Sequence, residues 1–156
     1  MRVKRLHPDA KLPTRADDGS NGYDLYASES VFIPHGATMI VPTGIAIELQ
    51  NRWNTEQQQV FKIEDRSSMA VKGLRTGGGI VDNSYRGEIK VILHNFSNKD
   101  KIGTISPDRS GFGYYVNQGD KIAQGLIYDT YAEEIIETYN LSDSSRGDQG
   151  FGSSGK

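Results

Sequence analysis

The chain has 156 residues, 35% of them hydrophobic, with 18 glycines, no cysteine, a formal net charge of -2 and a pI near 5.9. That length fits one domain with a real core, and glycine raises the apolar share to about 47%, an ordinary globular value. Disulfides, cysteine-held zinc and thiol catalysis are excluded; the acidic balance argues against duplex nucleic acid, and no run of 18 apolar residues offers a membrane span.

Taken in chain order, short β-type runs alternate with turn chemistry. Met1 to Lys11 is charged and has no apolar leader core, so no targeting address is visible. Val31-Phe32-Ile33 stops at Pro34-His35-Gly36, and Met39-Ile40-Val41 stops at Pro42-Thr43-Gly44. Ile45, Ile47 and Leu49 alternate with Ala46, Glu48 and Gln50, the period-2 pattern of a half-buried strand. Residues 60–63, 88–94, 114–116, 122–128 and 134–139 read as further strands. Asn51 to Gln59 and Asn98 to Gly113 read as polar surface loops. The single helix signal is Ser67 to Lys72, opened by a hydroxyl residue and closed by Gly73. Many short strands with Gly/Pro turns predict an all-β sandwich, jelly roll or barrel, spanning residues 1–139. Residues 140–156, rich in Ser, Gly and Asp, cannot bury enough surface to offset their ordering entropy and are expected to be a mobile tail.

Three stretches could carry chemistry. Gly77 to Gly87 joins three successive glycines to a turn-forming Asn83-Ser84, and a β-hairpin there would put Asp82, Tyr85 and Arg86 on one tip. From spacing alone, the reading of Asp82 as a mere turn acid stands ahead. Asp65-Arg66-Ser67-Ser68, between a strand and the short helix, is either a phosphate cradle or only an N-cap. Arg146 to Gly155 is glycine-rich but lacks the Lys-Ser/Thr pair and following helix of a P-loop. It is either a plain terminus or, through Phe151 and Arg146, a cover for an aromatic base and a phosphate. His7, His35 and His94 lack metal-ligand spacing.

Five segments nevertheless occur in a telling order: Asn21 to Ala27, Arg66 to Ala70, Gly79 to Glu88, Gly119 to Gln124, and Arg146 to Gly155. In that order they resemble the motifs of the deoxyuridine triphosphatase family, from about residue 20 to residue 155. The resemblance implies a jelly-roll, β-clip-like homotrimer whose active sites are shared between subunits, hydrolysing dUTP to dUMP and pyrophosphate with Mg²⁺. It implies that Asp82 deprotonates a water for in-line attack on the α-phosphorus. Gly79, Ile80, Val81 and Lys90 would hold the nucleoside, uracil pairing with main chain, and Tyr85 would pack on the deoxyribose and exclude a 2′-hydroxyl. Arg66, Ser67, Ser68 and Gln124 would bind phosphate. Asp24 would organise the Mg²⁺ surroundings through water, with the metal on the triphosphate. Arg146 would reach the γ-phosphate, with Phe151, Gly152 and Ser153 closing over the base. A cytoplasmic enzyme (in host cytoplasm if viral) is implied, with no nucleic-acid or membrane partner.

The sequence departs from the family pattern at Asn21, at Asp65 beside the expected phosphate cradle, at Gly125 where a bulky aliphatic is usual, and at Gln149. Loop 98–113 is longer than compact members need and could carry a protein partner. Two other readings fit the scaffold, a nucleotide-responsive binding protein and a dCTP deaminase relative.

Overall fold

Side-chain alternation along short extended runs decides which residues point inward. In the computed structural model, residues 1–50, 57–97, 104–105, 112–131 and 133–148 are described. They form β1 (Arg2–Arg5), β2 (Tyr23–Tyr26), β3 (Val31–Pro34), β4 (Thr38–Pro42), β5 (Ile45–Glu48), β6 (Gln57–Glu64), α1 (Ser67–Ala70), β7 (Leu74–Gly77), β8 (Ile80–Val81), β9 (Lys90–Asn95), β10 (Thr104–Ile105), β11 (Phe112–Val116) and β12 (Lys121–Tyr131). The strands make four antiparallel sheets, ordered β1-β5, β10-β11-β3, β2-β12-β6-β8 and β4-β9-β7. This is the all-β architecture the turn spacing predicts and the jelly roll the resemblance implies, with one short helix among the described residues. No helix among the described residues is long and apolar enough to cross a membrane.

One core joins the sheets. Leu25, Ile33, Val41, Phe61, Leu74, Val91, Leu93 and Ile122 each show 0% exposure and come from seven strands. Each large side chain removed from water in this way stabilises the fold by about 1.5–3 kcal/mol. On β9 the alternation is clean: Val91, Leu93 and Asn95 face in, whereas Lys90, Ile92 and His94 face out. Buried Asn95 donates from Nδ2 to the Ile33 carbonyl at 2.8 Å and accepts from the Ser97 amide at 2.9 Å, so this polar group is satisfied and ties β9 to β3.

Gly125 is explained by its neighbour. Phe61 on β6 is fully buried, and a Cβ at Gly125 would run into the Phe61 ring. The bulk usual at position 125 is therefore supplied here from the facing strand, a volume exchange that cores tolerate well.

Several expected boundaries shift, each for a physical reason. The strand expected from Glu88 begins at Lys90, because Glu88 Oε1 accepts from the Gly44 amide at 2.8 Å and the Ile89 amide donates to the Ile45 carbonyl at 2.8 Å. Residues 57–59, expected in a loop, extend β6, pairing with Asp129, Thr130 and Tyr131. Side-chain bonds rather than burial hold this extension: Gln59 Nε2 donates to Asp129 Oδ1 at 3.0 Å, and Thr130 Oγ1 to the Gln58 carbonyl at 3.2 Å. The remainder of loop 51–59 lies outside the described residues. Of loop 98–113, residues 104–105 and 112–113 are strand, and the rest lies outside them too.

Residues 134–139 are not a strand. No neighbouring edge in the chain pairs with them among the described residues, and Ile135, Ile136 and Tyr139 stand 97%, 76% and 104% exposed. A β pattern without a partner edge has nowhere to place its ladder hydrogen bonds. The helix is shorter than expected, ending at Ala70 with a turn through Gly73.

Candidate functional site

The hairpin expected over Gly77 to Gly87 takes the form of a long connection between paired strands. The paired strands are β7 and β9, with Gly77 opposite Ile92, and residues 78–89 are the excursion between them. Within that excursion β8 is clipped onto β6, Val81 opposite Phe61 and Ile80 opposite Lys62. The Ile63 amide donates to the Gly79 carbonyl at 2.7 Å, and a Cβ at position 79 would strike the Ile63 carbonyl oxygen. Only glycine permits this approach. Because β8 is the last strand of its sheet, its outer main-chain edge is unpaired among the described strands.

Past β8 the chain turns sharply. The Tyr85 amide donates to the Asp82 carbonyl at 3.0 Å, closing a turn through Asn83 and Ser84. The Asp82 carboxylate takes no hydrogen bond among the described residues and is exposed, so the main chain and not the acid holds the turn. The Tyr85 ring lies over Gly87, where a Cβ would collide with it, and its hydroxyl donates to the Glu88 carbonyl at 3.1 Å. Ile80, Val81, Asp82, Tyr85 and Lys90 line one cavity of about 230 Å³, together with Glu88 and Ile89. Lys90 Nζ sits 3.6 Å from Glu88 Oε2 at its rim. A second, larger cleft of about 820 Å³, with Gln58, Gln59, Asn83 and Arg86 on its walls, shares Ile80 and Asp82. Asp82 thus stands on the ridge between two spaces. The smaller is below the ~300–1,000 Å³ of self-sufficient small-molecule sites, so a ligand there must find further walls elsewhere.

The other predicted residues gather at the far end of β6. Asp24 on β2 is buried, and its two carboxylate oxygens face two cations: Arg66 Nε at 2.8 Å from Oδ1 and Lys121 Nζ at 2.7 Å from Oδ2. Arg66 Nη1 also donates to Ser68 Oγ at 3.2 Å and to the Lys121 carbonyl at 3.3 Å. Gln124 Nε2 donates to the Asp65 carbonyl at 2.8 Å. Two cations around one carboxylate leave one positive charge in excess, beside the exposed hydroxyls of Ser67 and Ser68. Its hydrogen bond and charge interaction with Asp24 raise the Lys121 ammonium above the ordinary lysine value, so it is cationic throughout the neutral range.

The N-cap position of α1 is Arg66, with no side-chain cap bond, so neither serine is used as a cap. Asp65 is turned away from this cluster. It accepts from the Thr76 amide at 2.6 Å and hydroxyl at 2.8 Å, and its other oxygen lies 2.7 Å from Arg75 Nε. Its charge is satisfied on β7 and does not oppose an anion at Arg66. Lys121 was not singled out in the sequence; its signal was a cation three residues before Gln124, on the side of the strand that Asp24 faces.

The two clusters do not meet within one chain. Along β6, Asp82 follows the residue opposite Phe61, whereas Arg66 lies just beyond the strand's other end at Glu64. At ~3.3 Å per strand residue they are roughly 20 Å apart, too far for both to serve one phosphorus atom. Among the described residues no group of three or more His, Asp or Glu side chains could hold a metal ion, and Asp24 is already committed to Arg66 and Lys121. Arg146 is exposed near a turn in which the Gly147 amide donates to Ser144 Oγ at 3.0 Å. Phe151, Gly152 and Ser153 lie outside the described residues.

Comparison with known proteins bears on the whole chain. Residues 8–155 match the dUTPase family. A deoxyuridine 5'-triphosphate nucleotidohydrolase of Helicobacter pylori is 37% identical, covering 99% of this chain and 96% of its own length. Its counterpart from Clostridioides difficile is 39% identical, covering 99% and 97%. The structure of the Staphylococcus bacteriophage 80alpha dUTPase with dUPNHPP superposes with a TM-score of 0.83 at 26% identity, covering 99% of this chain and 98% of the phage chain. With its ordered motifs, its jelly-roll sheets and these full-length relatives, the chain belongs to the dUTPase family.

Proposed function

We propose that this protein hydrolyses dUTP to dUMP and pyrophosphate, limiting uracil incorporation into DNA and supplying dUMP. The observation that carries the reading is Asp82: a carboxylate unused by its own turn, on the rim of a cavity it shares with Tyr85 and Lys90. Asp82 takes a proton from a water, which attacks the α-phosphorus as the bond to the pyrophosphate oxygen breaks. The outer edge of β8, from Gly79 to Val81, pairs with uracil through its main chain. Tyr85, braced on Gly87 and the Glu88 carbonyl, presents its ring to the deoxyribose and leaves no room for a 2′-hydroxyl.

Arg66, Ser67, Ser68 and Gln124 hold the phosphates, with Lys121 adding charge. Asp24 serves this site by aiming two cations. Mg²⁺, held by the triphosphate rather than by Asp24, would neutralise charge on the phosphate oxygens. Because Asp82 and Arg66 of one chain are roughly 20 Å apart by strand spacing, the phosphate cluster facing a given Asp82 comes from another copy, in a homotrimer. The exposed apolar run at Ile135, Ile136 and Tyr139 supports assembly, since no partner edge meets it among the described residues and a second copy would offer one. Residues 140–156 form the closing tail, with Arg146 on the γ-phosphate and Phe151, Gly152 and Ser153 over the base. Its 17 residues extend to about 55 Å at ~3.3 Å each, enough to reach a neighbouring subunit.

The test offers the protein dUTP, dCTP, dTTP and UTP with Mg²⁺ and measures pyrophosphate and ammonia release. Pyrophosphate from dUTP, with UTP at least ~10²-fold poorer as befits a steric block plus a lost sugar contact, is the expected result. Silence on dUTP would sink the proposal, and ammonia from dCTP would favour a deaminase.

A further inference from the structure

Arg86 follows the pocket tyrosine directly, and its guanidinium doubles back onto the turn it leaves. Nη1 donates to both the Asn83 and the Tyr85 carbonyls, the latter at 2.9 Å. The turn closes through a main-chain bond from the Tyr85 amide to the Asp82 carbonyl, and the chain then passes into Gly87. The Tyr85 hydroxyl braces its ring on the Glu88 carbonyl, but in an exposed turn that contact does not by itself set the direction of the Asp82 carboxylate. A cation bridging two of its carbonyls does, because hydrogen bonds to a charged donor are stronger than neutral ones and a planar guanidinium fixes direction as well as distance.

The outer nitrogen is engaged elsewhere. Nη2 lies 3.8 Å from Glu48 Oε1, and the other Glu48 oxygen receives Arg2 at 3.2 Å across the β1–β5 pair. These exposed ion pairs contribute little energy, but they place a carboxylate beside Arg86 on its outer side. A phosphate ligand needs an open fork of nitrogens; this one faces carbonyls within and a carboxylate without.

We propose that Arg86 is a positioning residue: by clasping the Asn83 and Tyr85 carbonyls it holds Asp82 and Tyr85 in register, so that water activation and rejection of the 2′-hydroxyl depend on one clasp. The inference rests on the reading of Asp82 and Tyr85 given above. Its test uses the full chain with Arg86→Gln and Arg86→Lys, following amide hydrogen exchange at Tyr85 and at core Leu93, the dUTP-to-UTP ratio of kcat/KM, and the Kd for dUMP.

In Arg86→Gln, Tyr85 exchange is expected to quicken roughly tenfold, the worth of one hydrogen bond to a charged group, with Leu93 unchanged. Selectivity for dUTP over UTP falls by a similar factor, and dUMP binding weakens as much as that of a non-hydrolysable dUTP analogue. Arg86→Lys, which keeps the charge but not the fork, shows a smaller change in the same direction. It also decides the matter should Arg86→Gln quicken Leu93 too. Unchanged Tyr85 exchange and selectivity in Arg86→Lys and Arg86→Gln would overturn the proposal. So would a loss confined to the triphosphate analogue, which would make Arg86 a phosphate ligand. A wild-type protein inert toward dUTP would defeat the functional reading, while Tyr85 exchange would still decide whether Arg86 holds the turn.

Discussion

Changing Asp82 to asparagine is expected to lower dUTP turnover by about 10²- to 10⁴-fold, the usual contribution of a positioned general base, while affinity for a non-hydrolysable dUTP analogue stays near the wild-type value. The reason lies in the turn. Its closure is made by the Asp82 carbonyl and the Tyr85 amide, so the side chain can change chemistry without moving the backbone. An exposed, nearly isosteric change with no hydrogen bond to lose should leave stability within about 0.5 kcal/mol. Single-turnover rates and a titration of the analogue check both halves. Turnover within tenfold of wild type would mean that another group activates the water. A matching loss of affinity would make Asp82 a binding residue.

The second large effect is expected at Arg66. Arg66→Leu should lower kcat/KM for dUTP by about 10²- to 10³-fold, as removal of one preorganised donor to a charged centre commonly does. It should also lower stability, because Arg66 Nε is one of two cationic partners of a carboxylate whose side chain is only 10% exposed. Breaking a fully buried pair costs about 3–5 kcal/mol. Here Lys121 remains at 2.7 Å and Arg66 is itself a quarter exposed, so about 2 kcal/mol is the expected loss. The double variant Arg66→Leu with Asp24→Asn also removes the buried carboxylate that has lost one of its two cations, leaving Lys121 to solvent, to which it is already partly exposed. It should regain stability in thermal unfolding without regaining activity. Recovery of activity with stability would show that Arg66 acts only on the fold.

Much of this was legible in residue order. Val31-Phe32-Ile33 and Met39-Ile40-Val41 were readable as strands because β-branched runs end there in Pro and Gly, signals that act locally. β1 was not, since Arg2, Lys4 and Arg5 surround a lone Val3 and the strand exists only because β5 offers its edge. The same dependence explains residues 134–139, where the strand pattern is present and no partner edge meets it among the described residues. Pairing partners are long-range choices, which is why the order of residues does not show that β8, inside the Gly77 to Gly87 segment, pairs with β6.

At the site, residue types could be read but their directions could not. Asp65 beside Arg66 looked like an obstacle to phosphate until Thr76 and Arg75, eleven and ten residues on, were seen to bind it. Lys121 gained meaning only when β2 and β12 paired and set it against Asp24. Spacing favoured Asp82 as a turn acid, and the main-chain closure of its turn leaves that carboxylate available for chemistry.

The central claim is that dUTP is hydrolysed at sites built from Asp82 of one copy and Arg66 of another. Its most direct measurement mixes the two inactive single variants, Asp82→Asn and Arg66→Leu, co-expressed in equal amounts, and follows pyrophosphate release from dUTP. Random assembly leaves about a quarter of shared sites with both halves intact, so activity should return to about a quarter of the wild-type rate. A mixture as inactive as its components would contradict the account, because it would place Asp82 and Arg66 of one chain in the same site.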